Sequence, residues 1–248
     1  MPIPKDIQLQ RYNDGTPSIL RQKIVYTELF FYRKSDVLTQ LTKVFCKRFL
    51  PTYHDRTVDQ MVQAARSVKQ NIVEGLTDGQ TSFEVEIKLL GIAKGSNQEL
   101  CEDFQDYLKQ HHLCNWANAR NTPNDAPRKK DIANRYDKLL AYCRTHNNLE
   151  DYEPFFQKWT DEEMCNIGIT LCHMVDKMLS SFIAKRDHEF VEEGGIRERM
   201  TAARLDRRGT QKEIIEKLER ENAQLKARIA SLERELAAIK TGESAPPP

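Results

Sequence analysis

From Ile215 to Lys240 the chain reads IEKLERENAQLKARIASLERELAAIK, with apolar side chains falling at alternating steps of three and four. Setting Ile215 as heptad position a places Ile215, Asn222, Ile229 and Leu236 at a, and Leu218, Leu225, Leu232 and Ile239 at d. Mostly Ile at a with Leu at d favours two parallel strands, and a single Asn at a fixes register and the two-stranded state. The flanks agree. In a parallel pair each g residue faces the e residue five further on in the partner, which joins Glu221 to Lys226, Arg228 to Glu233 and Glu235 to Lys240. A single solvated helix has no reason to align all four positions. The expectation is a homo-oligomer, a parallel dimer, held through a coiled coil at 211–240, with 241–248 (TGESAPPP) as a disordered tail.

The rest of the sequence is helical in period, with almost no strand alternation. Residues 1–17 hold two early prolines, Asp14-Gly15 and Thr16-Pro17, and read as irregular. A first helix is expected from about Ser18 to Leu50, with Val37, Leu38, Leu41, Phe45 and Phe49 on one side, stopped by Pro51. A second runs from near Asp55 to Glu74, striped by Val58, Met61, Ala65, Val68 and Ile72 and ended by Gly75. A third follows Thr81-Ser82 towards His112, carrying Phe83, Ile87, Leu90, Ala93, Leu100, Phe104 and Leu108. Gly91 and Gly95 in its middle cost about 1 kcal/mol each, and close approach of another backbone is the expected compensation. After a polar loop at 114–130 and a short helix at 131–146, Thr160 with Glu163 forms a capping box for a last helix ending before Gly194-Gly195. Its inner stripe reads Met164, Ile167, Leu171, Met174, Met178 and Phe182. The expected fold class is all-α: an antiparallel four-helix bundle at 18–193 with an insert at 114–159, a basic linker or suffix helix at 194–210, then the coiled coil.

Chemistry is harder to find. The sequence has no GxSxG, no Walker GxxxxGK[ST] and no HExxH, and no histidine has an acidic residue three positions before it, as a di-metal bundle centre would need. The chain therefore reads as non-enzymatic, with no catalytic residues and no cofactor. The six cysteines are scattered and read as reduced, packed thiols. His111/Cys114 and Cys143/His146 are the weak candidates for a metal site, two i,i+3 steps that could supply four tetrahedral ligands. Ordinary packing is the expected reading of both. MPIPKDIQLQ lacks the apolar core of an export signal, no run nears the roughly 18 apolar residues of a membrane span, and mean hydropathy is −0.67. A cytoplasmic protein without a membrane partner is expected.

With 38 basic and 37 acidic side chains the net charge is +1, which predicts no polyanionic partner, but its distribution is uneven. Residues 1–60 carry +4, 81–113 carry −3, 161–193 carry −5 and 196–209 carry +3. If the first two helices form one exposed side, Arg33, Lys34, Lys43, Lys47, Arg48, Arg56, Arg66 and Lys69 make a face that could track phosphates. The alternative clamp is Arg197, Arg199, Arg204, Arg207 and Arg208, a basic segment leading into a zipper as in basic-region zipper proteins, although Met200, Leu205 and Gly209 interrupt it. The bland expectation for both is solvated faces with intramolecular acidic partners. Glu84, Glu86, Glu99, Asp103 and Asp106 read as the wet face of the third helix, and Asn71 with Glu74 as a polar pair satisfying the backbone where the second helix ends at Gly75.

The run Asp59-Gln60-Met61-Val62-Gln63-Ala64-Ala65-Arg66-Ser67, continuing through Gln70-Asn71-Ile72-Val73-Glu74-Gly75, resembles the signature of a bacterial four-helix-bundle family. That family is named from proteins encoded within intervening sequences of large-subunit ribosomal RNA genes. Thr81-Ser82, Glu86-Ile87-Lys88-Leu89-Leu90, Ala93, Ser96, Glu99-Leu100 and Asp106-Tyr107-Leu108 fit its third helix, and Glu192-Glu193-Gly194-Gly195-Ile196 resembles its suffix-domain variant. The likeness covers 35–113 and, more loosely, 160–208. It implies kinship with the accessory proteins of diversity-generating retroelements. Those are pentameric barrels that bind a reverse transcriptase and nucleic acid through basic surfaces and have no catalytic residues. Together these readings predict an oligomeric helical adaptor that docks nucleic acid or a nucleic-acid enzyme such as a reverse transcriptase-like protein. The alternatives are a purely structural protein–protein scaffold, and a metal-binding protein built on the His/Cys residues.

Overall fold

A computed structural model describes residues 11–13, 15–50, 56–121 and 127–241. The chain is about 83% helical, and the described residues contain no β-strand, only an isolated bridge between Arg11 and Pro17. Among the described residues eight α-helices follow in order: α1 Phe30–Phe49, α2 Arg56–Asp78, α3 Phe83–Gln110, α4 Trp116–Asn121, α5 Pro127–Thr145, α6 Leu149–Tyr152, α7 Asp161–Glu193 and α8 Ile196–Thr241. The chain divides into two compact units, Leu20–Gly195 and a second made of the N-terminal segment to Ile19 with everything from Ile196 on. The expected residues 1–10, the stop at Pro51, the start at Asp55 and the tail beyond 241 lie outside the described residues.

In the unit Leu20–Gly195, α2 packs on α3, α3 on α7, α7 on α1 and α1 on α2, closing a cycle around one core. Each helix contributes one apolar stripe: Val37, Leu38, Leu41 and Phe45 from α1; Met61, Ala65, Val68 and Ile72 from α2; Leu90, Ala93, Leu100 and Phe104 from α3; Met164, Leu171, Val175 and Leu179 from α7. None of these is more than 1% exposed, and burying each of the larger ones contributes about 1.5–3 kcal/mol. Met174, Met178 and Phe182, expected on the inner stripe of α7, are half-buried at the core edge instead.

Several boundaries differ from expectation. α1 begins at Phe30, not near Ser18, preceded by a single 3-10 turn at Tyr26–Glu28. The fully buried apolar residues start at Phe31; upstream only Ile24, Tyr26 and Leu29 pack partly against the core, at spacings that do not make one helical stripe. α2 does not end at Gly75 but continues to Asp78. Gly75 is buried inside it, where a Cβ would lie 3.2 Å from Leu89 Cβ and 3.3 Å from the Glu86 carbonyl oxygen, so glycine there permits the close crossing of α2 and α3. Gly91 and Gly95, expected to permit such an approach, are exposed, and a Cβ at either meets nothing within 4 Å. Gly91→Ala and Gly95→Ala are therefore expected to stabilise the protein, by up to about 1 kcal/mol each, read as a higher urea midpoint with an unchanged slope.

The loop expected at 114–130 contains α4, because the Trp116 amide donates to Asn166 Oδ1 (2.8 Å) and its indole Nε1 to Glu162 Oε1 (2.7 Å). α5 starts at Pro127, four residues earlier than expected. The start of α7 matches the sequence reading: Thr160 and Glu163 form a reciprocal capping box. Gly194 closes α7 with φ 72°, a left-handed value that favours glycine. One stretch, Asp161–Ile239, contains an 18-residue window apolar enough by composition to cross a membrane; 44% of that window is buried in the chain, and a soluble core helix passes the same test.

In the other unit, α8 runs unbroken for 46 residues, about 69 Å. α8 runs through the expected boundary between a suffix at 194–210 and a coiled coil from 211, and Gly209 does not interrupt the helix. The N-terminal segment, read as irregular over 1–17, belongs to this unit up to Ile19. Arg11 pairs with Asp206 at 2.9 Å, and Arg199 donates to the Ile19 carbonyl at 3.1 Å.

Candidate functional site

The longest unpartnered apolar surface among the described residues lies on α8. Leu218, Leu225, Ile229, Leu232, Leu236, Ile239 and Ile215 are 42–77% exposed, and Asn222 on the same face is exposed as well. These are the predicted a and d positions. Charged neighbours link along the helix surface, Arg220 with Glu216 at 3.7 Å and Lys217 with Glu221 at 3.9 Å. Such pairs stabilise a solvated helix by a few tenths of a kcal/mol but leave the apolar stripe uncovered. An apolar stripe of that length is otherwise found where a partner helix seats.

The predicted phosphate-tracking face on α1 and α2 divides. Lys34 is 3% exposed, and its Nζ donates to the carbonyls of Cys143 (2.5 Å) and His146 (3.2 Å). Burial lowers its pKa, against the raising influence of Cys143 and Asp151. It holds α5 to α1 and presents no charge to solvent. Arg48 donates to the Phe156 carbonyl and, at 2.9 Å, to that of Trp159, which fixes the segment leading into α7. Arg33 donates to the Thr27 carbonyl at 2.7 Å and to Asn148 at 3.3 Å. Lys69 pairs with Asp36 at 2.6 Å; burial works against its charge, and the hydrogen bond and charge of Asp36 outweigh it, so its pKa rises. Lys43, Lys47, Arg56 and Arg66 are exposed. The basic face thus loses half of its predicted members to structural contacts.

The arginine segment divides differently. Arg199 is 4% exposed, but Arg197, Arg204, Arg207 and Arg208 are exposed on α8.

Asn71 and Glu74 do not act as a terminal pair. Asn71 Nδ2 donates within α2 to the Ser67 carbonyl (2.8 Å) and Ser67 Oγ (3.1 Å), while Ser67 Oγ bonds Ser96 Oγ on α3 at 2.8 Å. Glu74 is exposed, and α2 passes through Gly75.

The structure does not gather His111, Cys114, Cys143 and His146. His111 stacks on Tyr107 and His146 on Tyr142, with ring centroids 3.9 and 4.0 Å apart. Cys143 is buried, and burial pushes its thiol up to about 11, far from the thiolate a metal would need. Among the described residues no group of three or more His, Cys, Asp or Glu side chains could hold a metal ion. All six cysteines are free thiols, five of them buried.

One polar cluster escaped the sequence reading. Glu86, read as part of a wet face, is 0% exposed and accepts from Arg21 at 2.7 Å and from Arg186 at 2.8 and 3.0 Å. Burial, and then the charge of Glu189, push its pKa up to about 8, while hydrogen bonds from two guanidiniums favour the charged form. The Arg21 guanidinium also lies 3.3 Å from the centre of the Phe83 ring. Glu86 sits one step from Phe83 and Leu90 on the buried side of α3, and that i+3, i+4 spacing was the available signal.

No protein-family model, curated protein or solved structure matches the chain. The class defined by the fold is all-α.

Proposed function

We propose that this protein is a non-enzymatic, self-associating helical adaptor. Residues 20–195 form a four-helix bundle with an insert, and the C-terminal part of α8 pairs with a second copy as a parallel coiled coil. The observation that carries the reading is the exposure of the a and d side chains on one continuous helix, from 42% at Leu232 to 77% at Ile239. The closed packing of α1, α2, α3 and α7 supports the bundle. Pairing doubles the number of docking faces on the bundle without adding a new contact, which raises avidity for any partner that presents two sites. The loss of Lys34, Arg48, Arg33 and Lys69 to internal contacts favours a protein partner over nucleic acid for the α1–α2 face.

Leu218→Glu with Leu225→Glu tests it. Two carboxylates at adjacent d positions are expected to abolish pairing, so the mass by light scattering falls from about twice 28.9 kDa to the single-chain value, while the thermal melt of the core unit is unchanged. A wild-type mass of 28.9 kDa at micromolar concentration, or a mass that the substitutions leave unchanged, overturns the reading.

A further inference from the structure

Counting the heptad back from Ile215 puts Arg208 at a, Arg204 at d, Thr201 at a and Arg197 at d. The apolar seam therefore turns cationic just before Gln211, and it does so without a break, because α8 is one helix from Ile196 to Thr241. All four of these side chains are exposed. The flank of the same turns is taken: Arg199 bonds the Ile19 carbonyl and Asp206 pairs with Arg11. Among the described residues the N-terminal segment lies against this flank, with Thr16, Pro17 and Ile19 bordering a groove that Arg204 and Arg207 also line, while the seam arginines stay exposed.

We infer that this cationic seam is a binding site for the phosphates of duplex DNA; the inference rests on the paired α8 proposed above. In a parallel pair each seam arginine would face its own copy. Like charges at a and d repel, so the two helices cannot stay zipped above Gln211 and must diverge there. Their inner faces then carry three arginines each. From Arg197 to Arg208 the helix spans about 17 Å, enough to cross a major groove about 12 Å wide. Basic helices forking from a zipper straddle the duplex in this manner. The narrow, deep major groove of duplex RNA does not admit a helix, which selects DNA between the two. A polyanion between the arms also removes the repulsion, so DNA binding and pairing must strengthen each other. Salt acts in opposite directions on the two: it relieves the repulsion in the free pair and weakens the DNA complex.

The test uses the full chain with a labelled 20-base-pair DNA duplex, the matching duplex RNA and single-stranded DNA, each titrated over a salt series. Six seam arginines give an expected log–log slope of about −5 on duplex DNA. Arg204→Ala with Arg208→Ala removes four of the six from the pair, and is expected to weaken binding more than about tenfold and flatten the slope to about −2. Light scattering on the same samples separates the two readings. A paired wild type that does not bind duplex DNA at low salt, or a paired variant that binds as wild type does, overturns the seam and leaves pairing standing. A monomeric wild type removes both. Preference for the RNA duplex or for single strands overturns the assignment to duplex DNA.

Discussion

Glu86→Ala is expected to lower the unfolding free energy by about 3–5 kcal/mol, because it removes the shared partner of two guanidiniums. Arg21 and Arg186 have side chains only 7% and 11% exposed; Arg186 keeps its pairing with Glu189, but Arg21 is left without a carboxylate and with little access to bulk water. The three residues come from the segment before α1, from α3 and from α7, so Glu86 helps fix that segment, alongside the Arg21 amide's hydrogen bond to the Gln80 carbonyl and the packing of Ile24, Tyr26 and Leu29. Gly79 makes room for it: a Cβ there would stand 2.6 Å from Glu86 Oε2. Glu86→Gln keeps the shape but offers one acceptor oxygen where Arg21 and Arg186 use two, and should recover only part of the loss. With total stabilities of about 5–15 kcal/mol for domains of this kind, the alanine variant should unfold at markedly lower urea. A shift within about 0.5 kcal/mol would show that the arginines reach solvent and that the cluster is not buried as described.

Phe104→Ala is expected to cost about 3–5 kcal/mol for a different reason. The Phe104 ring is fully buried, packs edge-on against Phe45 at 5.3 Å and fills the space left by Gly168 on α7. A Cβ at Gly168 would stand 2.7–3.0 Å from three ring carbons of Phe104, so Gly168→Ala overpacks the site, at about 1–3 kcal/mol. The two positions must couple. Phe104→Leu in the Gly168→Ala background frees the space the new methyl needs, so the double variant should be more stable than the sum of the single losses predicts. Strict additivity in urea denaturation would mean that the two side chains do not share the space.

The long periodic elements were legible because their physics is local. Stripes at three and four residues located α1, α2, α3 and α7, and the Thr160–Glu163 box located the start of α7. What was not legible depends on what lies across a gap. Gly91 and Gly95 look like close-approach residues, but the ones that serve are Gly75 and Gly168, a distinction made only by a facing Leu89 or Phe104. Lys34 and Arg48 look like surface charge until the carbonyls of Cys143, Phe156 and Trp159 stand opposite them. Glu86 could not be separated from its exposed neighbours without Arg21 and Arg186, which are 65 and 100 residues away in sequence. The a and d pattern of α8 was plain in the sequence, and the structure adds what periodicity could not show, an uninterrupted passage through Gly209.

The contact of Arg11 with Asp206 spans 195 residues, which places a constraint on the order of events during folding. Closing a loop of that length in a disordered chain costs about 4–5 kcal/mol in entropy, more than one exposed ion pair returns. Once Leu20–Gly195 has collapsed, the intervening chain is no longer free and most of that entropy has already been lost. Fastening the N-terminal segment to α8 is therefore a late step, and a nascent chain reaches it only after its last helix has been synthesised.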